Sequence, residues 1–431
     1  MLTIKNWQAL SQTDKKQYLT RPLQISSVRN QVQEIIKEVQ SFGDKALFAL
    51  TKQFDGVHLE NIQVSPSQIK NARISSQALN AINEAIKNIT NYHQALLPEN
   101  KKINTTQGVN IYSTYRPIQR VGLYVPGGHK TPLISSLLMQ AIPAKVAGCP
   151  LKILCTPPNR DGSINEHLLV AARLCGIETI YTVGGAQAIA AMAYGSETII
   201  KVDKIFGPGN SYVTEAKTLV STDPYGAAID MPAGPSEVMI IADNKANPTF
   251  IAADLLAQAE HGTDSQVILI CENLQLAEQV NQQLKEQLKP LSRIQIMKQS
   301  LANSVILVCP EKEEQLHIIN TYAPEHLIIN RDDAELWIDS IHAVGTVFLG
   351  PWAAETLGDY VTGSNHVLPT NGFARNHNGL NTLDFLTCFN VQSINQEGIQ
   401  NIGPAAITLA HIEGLDAHAQ AVAIRLNSLE V

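Results

Sequence analysis

The feature that most constrains this chain is an alternation of short apolar runs, glycine turns and helical runs that begins at Gln119. Val121-Gly122-Leu123-Tyr124-Val125 reads as a strand entering Pro126-Gly127-Gly128, and a helical run follows from Leu133 to Val146. Lys152-Ile153-Leu154 is a second strand, with a helix over 164–175. Thr179 to Val183 is a third, entering Gly184-Gly185 and a small-residue helix from Gln187 to Ala193. Val202 to Ile205 leads into Gly207-Pro208-Gly209-Asn210 and another helix. A further series repeats the pattern, with strands at 238–242, 266–270, 304–308 and 327–329 and helices at 249–261, 275–287 and 312–320. Strands alternating with helices at this spacing predict parallel sheets with crossover helices. Residues 26–100 read as helical, with Val28, Val32, Ile35, Ile36 and Val39 on one face and Leu79, Ile82, Ala85 and Ile86 on another. The tail, 390–431, reads as helical and polar-faced. Two α/β units with appended ends is the economical organisation.

Composition agrees with a packed chain of two or three domains. Of 431 residues, 44% are hydrophobic and 16% charged, which excludes a disordered or solvating polymer. A net charge of -7 gives no general attraction to nucleic acid or to an anionic membrane. Apolar runs such as Val267-Ile268-Leu269-Ile270 have strand length, well below the roughly 18 residues of a membrane span. Met1 to Lys16 is polar, without a signal-like apolar core. The six cysteines form no C-x-x-C pair and suit reduced thiols in a cytoplasmic protein. Cys155, at a strand end, is either a reactive thiol or a small packing residue.

In parallel sheets, ligands bind where strands end and helices begin. Gly184-Gly185 and Gly207-Pro208-Gly209 stand at such places. The exposed N–H groups of a helix start suit a pyrophosphate, although ordinary tight turns use the same residues. Pro248 opens a helix that Gly262 closes, its buried face set by Ile251 and Leu255. Gln258 continues that seam, and His261 stacks three residues further on. Such an amide and imidazole hold either a metal or one another. Pro324-Glu325-His326 sets a carboxylate and an imidazole side by side, pointing apart and able to act on different protons, with Pro324 suited to open a helical turn. Residues 350–370 gather Trp352, Glu355, Asp359, Tyr360, Ser364, Asn365 and His366 between glycines, with Glu355 and Asp359 at i,i+4. Glu413 and His418, near His411 and Asp416, sit on what reads as an exposed helix.

Ile229-Asp230-Met231-Pro232-Ala233-Gly234-Pro235-Ser236-Glu237, an aliphatic strand, a helix and then Glu260-His261 resemble the signature of the L-histidinol dehydrogenases. The likeness extends through Val121 to Gly128, Gly184 to Ala188, Phe206 to Asn210, Pro324 to Leu327 and Asn365 to Pro369. It implies two incomplete Rossmann-like α/β domains with parallel sheets, plus small N- and C-terminal extensions used in dimerisation. These would be an arm at 1–25, a metal-bearing and catalytic domain at 26–119 with 238–380, an NAD-binding domain at 120–237, and a tail at 381–431 that completes the partner's site. It implies cytoplasmic oxidation of L-histidinol to L-histidine through L-histidinaldehyde, with two NAD and one water, as the final step of histidine biosynthesis. Zinc ligands fall on Gln258, His261, Asp359 and His418, and the acid–base pair on Glu325 and His326. Substrate contacts fall on Ser236, Gln258, His261, His326, Asp359, His366, Glu413 and His418, and NAD contacts on Tyr124, Gln187 and Asn210. Two imidazoles with an amide and a carboxylate suit zinc. Where the family has small residues after Pro-Gly-Gly, this chain has His129-Lys130. A zinc-dependent amide hydrolase and a non-catalytic metal-binding protein are the competing readings, because a Glu beside a metal can activate water.

Overall fold

The computed structural model describes residues 1–21, 28–127, 133–231 and 234–429. His129, Lys130, Gly128 and Pro232-Ala233, singled out in the sequence, lie outside the described residues.

Two parallel sheets form the frame. The larger has six strands in the order Thr3–Asn6, Val305–Val308, Gln266–Cys271, Glu237–Ala242, His326–Asn330 and Thr346–Leu349. Every neighbouring pair is parallel. The strand order reverses between Glu237–Ala242 and His326–Asn330, which are fully buried and apolar except for Glu237, His326 and Asn330 at their ends, as a sheet covered on both faces requires. The smaller sheet has five strands in the order Thr179–Tyr181, Leu151–Cys155, Arg120–Tyr124, Lys204–Phe206 and Ala228–Ile229, again all parallel. Its order reverses between Arg120–Tyr124 and Lys204–Phe206.

The sequence grouping of 26–119 with 238–380 differs from the packing. Helix Val28–Asp55 lies on the helices Gly185–Tyr194 and Ser211–Ser221, and helix Ser76–Ala95 lies on Ile134–Val146, so both cover the five-stranded sheet. The apolar stripes at 28–50 and 79–89 carry no label saying which sheet they will cover. Helix Val28–Asp55 also breaks at Gly43, whose φ of 51° and ψ of -130° are outside helical values. The N-terminal arm is part of the frame as well, because Thr3–Asn6 forms an edge strand beside Val305–Val308.

The tail differs from its reading. It begins with strand Leu386–Ile394, antiparallel to Val109–Pro117, which in turn pairs with Lys101–Thr106. Helices Gln396–Ile412 and Asp416–Asn427 then pack on each other. Their outer surface is not wholly polar: Leu409, Ile412 and Ile424 are exposed on the helices, as are Phe389 and Val391 on the strand. Threonine-rich, alternating residues at 101–117 mark those strands, but they adjoin a strong helix, and a tail strand cannot be recognised without its partner.

Candidate active site

The two sheets meet at a cleft of about 950 Å³. It touches the carboxyl edge of the five-stranded sheet, where Gly207 follows strand Lys204–Phe206. It touches the amino edge of the six-stranded sheet, where Ser236 precedes strand Glu237–Ala242 and His326 opens strand His326–Asn330. The second edge departs from the carboxyl-end expectation. Crossover helices run opposite to their strands, so helix C-termini arrive there and turn their negative dipole ends toward the cleft. One such end belongs to Pro248–Ala259, the other to Lys312–Tyr322. One wall is therefore built for cations, while the other, at the start of helix Ser211–Ser221, favours anions.

The cleft gathers Gln258, His261, Asp359, Glu325, His326, His366, Ser236 and Asn210. Gln258 is fully buried, and neither its Oε1 nor its Nε2 has a hydrogen-bond partner. His261 lies past the helix, which ends at Ala259 with Glu260 as its cap. Its N–H donates to the Gln258 carbonyl at 3.3 Å, and its side chain is exposed. Asp359 shares the short helix Glu355–Tyr360 with Glu355, where the glycine-punctuated sequence reads as a loop.

Glu325 and His326 occupy a helix-to-strand junction, not the opening of a helical turn. The helix ends at Tyr322, and Ala323 takes a left-handed conformation with φ 53°. Both side chains are buried. They do not diverge: Glu325 Oε2 lies 3.5 Å from His326 Nδ1. One residue on the neighbouring strand holds both. The Glu237 N–H donates to Glu325 Oε2 at 2.8 Å, and the Glu237 carbonyl faces His326 Nδ1 at 3.0 Å. A carbonyl only accepts, so Nδ1 carries the proton and Nε2 keeps its lone pair. Burial lowers the His326 pKa to about 3, so the ring is neutral and its Nε2 is unprotonated.

Burial, reinforced by the Glu237 and Asp359 charges, holds the Glu325 carboxyl well above its usual range. Burial raises Glu355 in the same way, with Asp359, Glu325 and Asp254 adding to it. Burial also takes Asp359 up to about 6, opposed by His261. His326, Glu355 and Asp359 each present a ligand-capable atom within 4.8 Å of the others. An orphaned amide, crowded carboxyls and a helix C-terminus together fit a divalent cation. Glu355, 3.7 Å from His326, was visible in sequence only by its spacing from Asp359. Arg21 carried no signal of its own, and Glu237 stood out only as the end of the signature that begins at Ile229.

Four predicted residues do not line this cleft. Tyr124 and Gln187 are buried behind it. The Tyr124 hydroxyl accepts from the Gly185 N–H at 3.0 Å, so a tyrosine fills the helix start that was expected to meet a phosphate. Glu413 and His418 lie exposed on the tail. Asn210 does line the cleft and caps helix Ser211–Ser221, accepting from the Tyr212 and Val213 N–H groups at 3.1 Å. Cys155 is fully buried, and burial raises its thiol pKa, so it is a packing residue.

A family model described as histidinol dehydrogenase matches residues 19–426. The chain belongs to the histidinol dehydrogenase family. A histidinol dehydrogenase of Legionella pneumophila subsp. pneumophila (strain Philadelphia 1) is 70% identical over 429 residues, covering 100% of both chains. One of Vibrio vulnificus (strain YJ016) is 46% identical over 427 residues and 98% of each chain. The crystal structure of histidinol dehydrogenase from Elizabethkingia anophelis superposes with a TM-score of 0.96 at 44% identity, covering 100% of this chain and 99% of the other. Family membership makes the chain an oxidoreductase acting on histidinol in histidine biosynthesis and removes the hydrolase and non-catalytic readings.

Proposed function

We propose that the cleft carries out the NAD-dependent, four-electron oxidation of L-histidinol to L-histidine through L-histidinaldehyde, in the cytoplasm. The observation that carries this reading is the joint seating of His326 and Glu325 on the backbone of Glu237, beside the orphaned Gln258 amide. When bound, NAD supplies the hydride acceptor and zinc supplies a template charge for the substrate's imidazole and amine. Gln258, His261 and Asp359 would hold the metal, together with His418 of the partner subunit.

The neutral His326 ring takes the alcohol proton through Nε2 as the carbinol C–H bond gives up its hydride, leaving an aldehyde. Glu325, in its ionised form, takes a proton from water as the water oxygen bonds to the aldehyde carbon, and His326 returns its proton to the aldehyde oxygen, giving the gem-diol and a neutral ring. His326 then takes a gem-diol proton as the second hydride leaves, and the carboxylic acid results. Ser236 and His366 line the cleft where the amino alcohol would lie. His366 Nδ1 faces the Asp359 carbonyl at 2.8 Å, which fixes its ring as well. Asn210, with Tyr124 and Gln187 behind it, marks the NAD wall.

The exposed apolar side chains of the tail support a homodimer in which Glu413 and His418 complete the partner's cleft. No described helix is long and apolar enough to cross a membrane.

The test is absorbance of reduced nicotinamide with L-histidinol, before and after chelation and after zinc is restored. The reading predicts NADH formation, its loss on chelation and its return. No NADH with histidinol in the zinc-loaded protein would overturn it.

A further inference from the structure

Glu237 is unusual among the buried residues because all three of its polar groups act on the reaction centre or its frame. Its N–H and carbonyl hold Glu325 and His326. Its carboxylate, 2% exposed, is gripped by the Arg21 guanidinium through Nε and through Nη2 at 2.8 Å, and it also accepts from the Asn371 N–H at 3.0 Å. The same Nη2 donates to the carbonyls of Tyr322 at 2.9 Å and Ala323 at 3.2 Å. The guanidinium stacks over the Tyr322 ring at 3.9 Å. Arg21 thus ties the strand that starts at Glu237 to the helix end and left-handed residue immediately before Pro324-Glu325-His326.

We propose that Arg21, on the N-terminal arm, is a positioning residue for oxidation, setting Glu325 and His326 through Glu237 and through the Tyr322–Ala323 turn. The inference rests on the reading that Glu325 and His326 move the protons. Stability alone does not account for the arrangement. A buried ion pair contributes little over an apolar pair of the same volume, and here it adds a further carboxylate beside Glu325. What it supplies is geometry. A planar fork reaches a carboxylate and two carbonyls in fixed directions, which a lysine cannot do. Ala323 is a non-glycine residue with positive φ, a conformation that persists only where its surroundings impose it. Two carbonyls clamped by one cation at a helix C-terminus impose it.

The test compares Arg21→Lys and Arg21→Ala with His326→Asn in the zinc-loaded, full-length protein. Arg21→Lys, which keeps the charge and the fold, is expected to lower kcat by about 10- to 100-fold through misplacement, with the KM for histidinol and the zinc content unchanged. Arg21→Ala is expected to regain turnover with guanidinium ion at sub-denaturing concentration but not with equal sodium chloride. Added to His326→Asn, Arg21→Lys should cost clearly less than it does alone, because one of the two groups it sets is gone. Wild-type kcat in Arg21→Lys overturns the proposal, as does a loss confined to KM or one that adds in full to His326→Asn. Wild-type turnover in His326→Asn alone overturns the underlying reading instead.

Discussion

Gln258 shows at the scale of one residue how a site differs from a core. An amide buried without a partner costs about 1–3 kcal/mol, so a chain selected only for stability would place leucine there. Gln258→Leu should leave the metal-free protein at least as stable by thermal unfolding, while zinc content by metal analysis falls. Lower stability with full zinc would show that the amide serves the fold. Glu325 allows a second residue-scale test. Glu325→Gln keeps its shape and loses its basicity, so in single turnovers oxidation of supplied histidinaldehyde should slow more than oxidation of histidinol. Equal slowing of both would remove Glu325 from the water step. The direction of its pKa sets the pH profile: the second oxidation needs the carboxylate, so its rate should fall as pH drops through a value above the ordinary glutamate range.

Elements place these residues, and their hidden polar contacts can be titrated. His93, fully buried on helix Ser76–Ala95, faces Thr382 Oγ1 at 3.2 Å, and that hydroxyl donates to the His93 carbonyl at 2.8 Å. Nδ1 therefore carries the proton, and Nε2 faces the Asn365 amide at 3.5 Å. A second proton would set donor against donor. Burial lowers the His93 pKa to about 4, against roughly 6.5 unfolded. The folded pKa is the lower one, so this stability is complete above about pH 6.5 and is lost as pH falls toward 4, about 3 kcal/mol in all. His93→Gln should remove that part of the pH dependence in denaturant titrations. An unchanged stability difference between about pH 7 and about pH 4 would contradict it. At the anion wall, Lys217 pairs with buried Asp230, and both hold Gly207, through its carbonyl and its N–H at 2.8 Å each. Lys217→Met leaves the Asp230 carboxylate without its ion-pair partner, which should cost about 3–5 kcal/mol and raise the KM for NAD. The sheets and most crossover helices were legible because buried parallel strands are continuous apolar runs. Gln258 and His261 were legible through the signature that spans them, Glu325 and His326 through a separate short segment, and Asp359 only by position from the family resemblance. The amino-edge location was not, because it depends on strand order, which local periodicity does not carry. Arg21 was not either, because its partners lie 216 to 302 positions away.

The whole molecule joins a cation-favouring wall and an anion-favouring wall across one cleft, and leaves the tail's apolar side chains exposed. Dimerisation can be tested by mixing chains. His418→Ala and His326→Ala, each inactive alone, should regain about a quarter of wild-type activity after subunit exchange, since half the dimers are mixed and each carries one intact site. No recovery after proven exchange would place the tail on its own chain. The central claim is that one cleft performs both oxidations, and the stoichiometry of the purified, zinc-loaded enzyme tests it most directly. With limiting L-histidinol and excess NAD, the account predicts two NADH and one L-histidine for each histidinol consumed. One NADH with release of histidinaldehyde would contradict it.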